Sequence, residues 1–333
     1  MALFITTSGT SAIAAVSVDH AQSWSYYSTG VAAGHVYDAL GLGGSSGERL
    51  VTLCHHASDF TVAIYSDDNG HTWPGMDNYP ATSLGGPWGI AHGPRWCVAG
   101  DNTIFSCESN ALAWTQRKDF SIAWRACAWT GTRFVLVGNG GWKAWSTNGL
   151  WDGTPYYTPN PSATWNYWPS MPANFNPRAL VYCGSSKVVA VGHNDNRCYV
   201  SSDDGETWAA GGNLPQTAYW TGLVCAGSVI CAAGHTAGPN TLRIATSSDQ
   251  GTSWTERTNA ASSDGSKVLL AWDGTKIACT SSATAVSVAD ADGVTWSAGT
   301  SLTSYIWDSS LGSSSLSAAP PWLPVILSRR STR

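Results

Sequence analysis

Ser66-Asp67-Asp68-Asn69-Gly70-His71-Thr72-Trp73 lies between two short apolar runs and returns twice in the same register. The later copies are Ser201-Ser202-Asp203-Asp204-Gly205-Glu206-Thr207-Trp208 and Ser247-Ser248-Asp249-Gln250-Gly251-Thr252-Ser253-Trp254. Weaker copies end at Trp24, Trp114, Trp165 and Trp296. The seven tryptophans are spaced by 49, 41, 51, 43, 46 and 42 residues. A period in this range marks stacked supersecondary units, each burying its apolar face against the next.

The phrase has a turn chemistry. An aspartate carboxylate accepts bonds from backbone N–H groups a few residues on and closes a tight turn. Glycine supplies a backbone conformation that other residues resist, and the Thr or Ser hydroxyl adds a local bond. The tryptophan then buries a large ring between neighbouring units. On this reading Asp19, Asp68, Asp203 and Asp249 are structural, as are Trp24, Trp73, Trp114, Trp165, Trp208, Trp254 and Trp296. The weak copies depart in readable ways. Ala21 stands at the glycine position of the first, and Glu108 replaces the acid before Trp114. The copy opening at Ser146-Thr147-Asn148-Gly149 resumes only at Ser162-Ala163-Thr164-Trp165, with 150–161 read as an inserted loop.

Three full matches in register resemble the Asp-box (BNR) repeat of sialidase-like β-propellers, and the pattern covers almost the whole chain. The resemblance implies that each box joins the third and fourth strands of a blade, on the side opposite the ligand-binding face.

Individual units read as four short strands joined by Gly, Ser and Asn turns. In one, 220–226, 229–233 and 242–246 are apolar runs, and a fourth strand follows Trp254. First-strand candidates are 36–42, 88–92, 124–130, 178–183, 220–226, 268–272 and 306–311. The N-terminus supplies 3–7 and 12–18, a second and third strand with no first strand before them. The simplest closure lets both chain ends share one blade, which removes exposed sheet edges. The expected fold is all-β, a seven-bladed β-propeller of four-stranded antiparallel blades spanning 1–312. Residues 313–333 are expected to form a tail, a linker or a contact with a partner.

Composition narrows the function. Charged residues make up 12% of the chain and the net charge is −5, with no basic stripe, so nucleic-acid binding is not expected. No run of 18 apolar residues predicts a membrane span. The start Met1-Ala2-Leu3-Phe4-Ile5 reads as a strand rather than a signal peptide, which implies folding in the cytoplasm. The nine cysteines fall largely inside apolar runs and lack metal spacing, as buried free thiols do. Cys225 and Cys231 are close enough in sequence to face each other across one hairpin, which keeps a disulfide open. No metal and no cofactor are expected.

First-strand starts and second-strand ends should ring one mouth. Tyr37, Trp88, Trp124, Arg125, Arg178, Trp220, His193, His235 and Trp307 are the candidate ligand-binding residues, with Tyr219, His55, His56, Asp101 and Asn139 beside them. Aromatic faces with convergent polar groups suit a glycan or a partner protein. The sialidases of the resembled family use three arginines there, whereas only Arg125 and Arg178 fall on first strands. Asp38 and Asp308 are the pair that a glycoside hydrolase would need. The expected function is a non-catalytic binding propeller. Its charge-poor, Gly/Ser/Thr/Trp-rich surface is similar to that of bacteriophage tail, fibre or decoration proteins in host attachment. A glycoside hydrolase and a pure assembly scaffold, anchored to virion neighbours by the tail, are the alternatives.

Overall fold

The computed structural model describes residues 2–8, 13–30, 35–43, 49–56, 61–78, 87–108, 114–150, 165–169, 171–238, 240–257, 268–280, 284–302 and 311–315. Strands dominate, and a single 3-10 turn at Asn139–Gly141 is the only helical element among these residues. None of their helices is long and apolar enough to cross a membrane.

The strands form five four-stranded antiparallel sheets and one of six strands. The N-terminal sheet joins Ala2–Ser8, Ile13–Ser17 and Ser25–Ser28 to Leu311–Ser315 from the other end of the chain. The Ala2–Ser8 strand pairs with Leu311–Ser315 from Ala2 opposite Ser315 to Thr6 opposite Leu311. The two chain ends therefore share a sheet, as a ring requires. The closing strand is later than expected. Ser313, Ser314 and Ser315, assigned by the sequence to the tail, belong to the sheet, while 303–310 lie outside the described residues. Serine and glycine are weak strand formers on their own. Their backbone bonds to an existing edge hold them here, and composition does not reveal that.

The six-stranded sheet is where the repeat blurs. Its Trp96–Cys107 strand occupies the positions of a second and a third strand. Trp114–Trp129 pairs with Trp96–Cys107 through its first half and with Phe134–Gly138 through its second. The outer strand of one unit thus runs on into the first strand of the next. Seven first strands neighbour one another in order, from Leu311–Ser315 through His35–Gly43, Pro87–His92, Trp114–Trp129, Pro177–Tyr182 and Tyr219–Ala226 to Leu269–Trp272. The last of these packs against the first, so the circuit closes.

The recurrent phrase forms one repeated hydrogen-bonded turn. In three copies the Ser66, Ser201 and Ser247 hydroxyls donate to Asp68, Asp203 and Asp249 at 2.7–2.8 Å and accept from the N–H of Gly70, Gly205 and Gly251. The Oδ1 that receives each serine hydroxyl also accepts the N–H of Thr72, Thr207 or Ser253, and the hydroxyl of that residue donates to Oδ2. Asp19 makes the same set with Ser17 and Ser23 although Ala21 sits at φ 63° where the others have glycine. The indole then plugs the seam with the preceding sheet. Trp114 packs with Val51 and Leu53, Trp208 with Val137 and Phe175, Trp254 with Val189 and Val191, and Trp296 with Ile244 and Ile277. Trp73, Trp208 and Trp296 also donate Nε1–H to the Gly70, Gly205 and Gly293 carbonyls at 2.9–3.0 Å. The weak copy at Ser146 keeps its opening turn, with Asn148 accepting from Leu150 N–H at 2.9 Å. The expected insertion after it lies outside the described residues, but Trp165 is fully buried with Phe134 and Leu136.

The cross-hairpin disulfide is excluded by register. Cys231 stands opposite Val224, and Cys225 stands opposite Ile230. Successive strand residues point to opposite faces, so the Cys225 and Cys231 side chains leave the sheet on opposite sides.

Candidate functional site

Strand register separates two ends of every unit. In the sheet beginning at Tyr219, Tyr219 pairs with His235 and His235 with Leu242, whereas Ser247, which opens the Asp249 turn, pairs with Ile230 at the far end. First-strand starts and second-strand ends therefore lie together, away from the aspartate turns. They constitute the mouth end.

A backbone device recurs at this end. Five first strands shift register close to their start: between Tyr37 and Ala39, Pro87 and Gly89, Trp124 and Ala126, Pro177 and Ala179, and Trp220 and Gly222. The bulged residues are Asp38, Trp88, Arg125, Arg178 and Thr221. A bulge inserts one extra residue, bends the strand and re-aims a side chain, and bulges concentrate beside binding sites. Opposite four of them the second strand carries glycine followed by a polar residue: Gly100-Asp101, Gly138-Asn139, Gly192-His193 and Gly234-His235. The glycine is sterically required at Gly234, where a Cβ would come 2.2 Å from the Tyr219 carbonyl oxygen.

The bulge corrects two of the expected ligand residues. Trp124 and Trp220 precede it, and they turn into the seams between sheets. Trp124 is 0% exposed among Ile104, Phe134 and Leu136, and Trp220 is 1% exposed among Val191, Ile230 and Ala245. Neither ring is available to a ligand. Trp88 occupies the bulge position itself, one residue out of phase with them, and is partly exposed. By backbone register Tyr37 holds the position of Trp124, and Asp38 that of Arg125. The side chains of Tyr37, Asp38, His55 and His56 lie outside the described residues, as do Trp307 and Asp308 entirely.

The remaining candidates meet. Arg125 Nη1 lies 2.7 Å from Asp101 Oδ1, an ion pair without hydrogen-bond geometry, and Arg125 Nε donates to Asn139 Oδ1 at 3.3 Å. The guanidinium carbons of Arg125 and Arg178 lie 4.6 and 5.9 Å from the Trp88 ring centre, within cation–π range. His193 stacks on Tyr219 at 4.1 Å, and His235 meets the edge of the same ring at 5.0 Å. His235 itself is buried, its Nδ1 lying 3.1 Å from the Thr236 carbonyl oxygen. Four consecutive units thus supply Trp88 and Asp101, Arg125 and Asn139, Arg178 and His193, and Tyr219 and His235.

Among the described residues this group is partly desolvated and carries more positive than negative charge. Burial lowers the pKa of Arg178, and the like charge of Arg125 lowers it further, with Asp101 opposing. Arg125 is lowered by burial and partly restored by Asp101. The imidazole of His193 is pushed down by burial, then by Arg178, His235 and Arg125. Among the described residues, two guanidinium groups lie beside one carboxylate, and Arg178 Nε and Trp88 Nε1 are buried donors with no acceptor. A buried charge or donor left without a partner is costly, so an incoming acceptor gains what this cluster lacks.

The two described carboxylates nearest this end are already engaged. Asp101 is held by Arg125, and Asp195 accepts from Arg197 Nε at 2.8 Å. Burial opposes the charge on Asp195, but the Arg197 bonds outweigh it and keep its pKa low.

No protein-family model matches the sequence. No curated protein matches it either. Solved structures do. The chain superposes on the GH74 xyloglucanase of Xanthomonas campestris with a TM-score of 0.60 at 11% identity, covering 93% of this chain and 53% of that one. It therefore spans about half the length of the xyloglucanase. YCF48 bound to D1 peptide gives 0.54 at 15% identity, covering 80% of this chain and 82% of that one. A chain of the mitotic checkpoint complex gives 0.58 at 13% identity, covering 81% and 78%. The fold is a β-propeller. At these identities the likeness extends to the fold alone. Trp88, Arg125, Arg178, His193 and His235, expected from the sequence to share one mouth, lie together at this end, but their shared backbone device was not foreseen. The signal for that device is the glycine–polar dipeptide repeated at 100, 138, 192 and 234.

Proposed function

We propose that this protein is a non-catalytic binding propeller of seven blades whose mouth recognises an acidic group on a glycan or a partner protein. The observation that carries the reading is the repeated bulge, which brings Trp88, Arg125 and Arg178 together with a surplus of positive charge among the described residues. Arginine meets carboxylates through paired N–H donors, and the Trp88 face suits the apolar side of a sugar ring or a peptide side chain. Counting the six-stranded sheet as two blades joined through Trp114–Trp129 gives the seven, matching the circuit of first strands.

The non-catalytic part rests on the carboxylates. Glycoside hydrolysis needs two, one of them held protonated, and Asp101 and Asp195 are each neutralised by an arginine. A hydrolase would have to use Asp38 and Asp308. We place the protein in a virion, as a tail, fibre or decoration component in host attachment, on its charge-poor composition, with 316–333 as the segment that reaches virion neighbours.

An array of acidic and neutral glycans and peptides tests the reading. Retention of carboxylate-bearing probes is expected, weakened by salt and at least about tenfold by Arg125→Gln with Arg178→Gln, since hydrogen bonds to charged groups contribute about 1.5–3 kcal/mol. Retention untouched by the double substitution, or turnover of aryl glycosides lost in Asp38→Asn, would overturn it.

A further inference from the structure

The far end of two first strands carries a pair of thiols that the mouth does not use. Cys183 directly follows Pro177–Tyr182, and Cys225 lies near the end of Tyr219–Ala226. These strands are neighbours in the circuit, and both cysteines pack in the seam between their sheets. Both side chains enter that seam from facing strands and interact across it, and Cys225 Sγ also donates to the Gly227 carbonyl oxygen at 3.7 Å. Two other pairs share a seam between adjacent units: Cys97 with Cys127, and Cys231 with Cys279. They differ in access. Cys97, Cys231 and Cys279 are each 0% exposed and only Cys127 of those two pairs is partly open, whereas Cys183 and Cys225 are both partly open to solvent.

Ionisation is unequal within the open pair: the contact lowers the Cys225 thiol against an opposing burial effect, while the same contact and burial raise Cys183. Burial raises Cys127, Cys231 and Cys279. The thiolate is the attacking species in thiol–disulfide exchange. With both sulfurs in one seam and both partly exposed, a lowered Cys225 thiol would attack first and Cys183 would resolve what it forms.

We infer that Cys183 and Cys225 form a reactive dithiol that closes to a disulfide between neighbouring blades when it meets a small-molecule disulfide. Cys225 thiolate attacks one sulfur of the oxidant, forming a mixed disulfide and releasing one thiolate. Cys183 then attacks Cys225 Sγ, its proton passing to solvent, and expels the second thiolate. Two protein thiols are oxidised while one oxidant disulfide is reduced to two thiols. The bond would fasten the strands whose other ends carry Arg178 and Tyr219, so oxidation at one end fixes blade spacing at the mouth. This step does not depend on what the mouth binds.

The test treats the folded full chain with oxidised glutathione, quenches it with an alkylating agent and maps peptides without reduction. A peptide linking Cys183 to Cys225 is expected, forming at least about tenfold faster than any modification of Cys97, Cys231 or Cys279. The melting temperature should rise by several degrees, because the link closes a 42-residue segment. Cys183→Ser should leave glutathione trapped on Cys225, and Cys225→Ser should leave Cys183 as a free thiol. Two wild-type results would overturn the inference: glutathione retained on Cys225 beside a free Cys183 thiol, or no reaction until the chain is denatured.

Discussion

The two ends of each sheet obey different rules. At the turn end the same side chains make the same bonds: Ser66 and Asp68, Ser201 and Asp203, Ser247 and Asp249, each set closed by a hydroxyl four residues on. At the mouth end the backbone repeats its bulge while the side chains change, from Trp88 to Arg125 to Arg178 to Thr221. Repetition of chemistry serves the frame, because every seam presents the same packing problem. Variation on a constant backbone would serve recognition under the proposed function, because a ligand presents different groups to different blades.

The largest expected effect breaks the mouth end as structure rather than as site. Gly234→Ala places a methyl 2.2 Å from the Tyr219 carbonyl oxygen, against backbone that cannot swing aside. Chemical denaturation should show a loss of about 3 kcal/mol. The turn end offers an internal control. Gly205 and Gly251 hold the same left-handed conformation, φ 84° and 86°. A methyl on Gly205 would lie 2.5 Å from Val135, but on Gly251 no closer than 3.1 Å to Val200. Gly205→Ala should cost about 2 kcal/mol and Gly251→Ala clearly less. Equal losses would mean that conformation alone, and not the seam, sets the cost. Ala21 already shows that a turn folds without glycine when the seam accommodates the methyl.

The frame was legible because its signal is chemical and repeated. Ser, Asp, Gly and Trp at fixed offsets can be read directly, and the strands follow from the apolar runs between them. The mouth was legible only in part. A bulge shifts side-chain phase by one residue, so Trp124 and Trp220 read as mouth residues when they plug seams, and Trp88 reads as their equivalent when it matches Arg125. The closing strand was misplaced for a related reason. Leu311–Ser315 has no apolar alternation, and pairing with Ala2–Ser8 defines it.

Acid should separate the two ends more gently. Asp249 is held at about 2 by bonds from Ser253, below its ordinary 3.8. A carboxylate so depressed stabilises the fold above about pH 4, and this contribution fades as pH falls towards 2. His193 is depressed by burial and nearby cations. The unfolded chain therefore takes up that proton more readily, and stability declines once pH drops below about 6.5. His92, lowered by burial to about 4, adds to the same decline. Melting temperatures should show His193→Gln flattening the profile below pH 6.5, and Asp249→Asn flattening it only below about pH 4. Exchange of those windows would contradict the assigned environments.

The central claim is that the aspartate turns hold the fold while the bulged side chains at the other end, Arg178 among them, hold a ligand. Paired measurement of melting temperature and Kd, on Asp203→Ala and Arg178→Ala with the best acidic probe from the array, addresses it directly. Asp203→Ala should lower the melting temperature by several degrees, for a loss of about 1–2 kcal/mol, and leave Kd unchanged. Arg178→Ala should weaken Kd at least about tenfold and leave the melting temperature within a degree or two. If Arg178→Ala destabilises the protein while Kd holds, or Asp203→Ala alters Kd, the division of labour between the two ends is wrong.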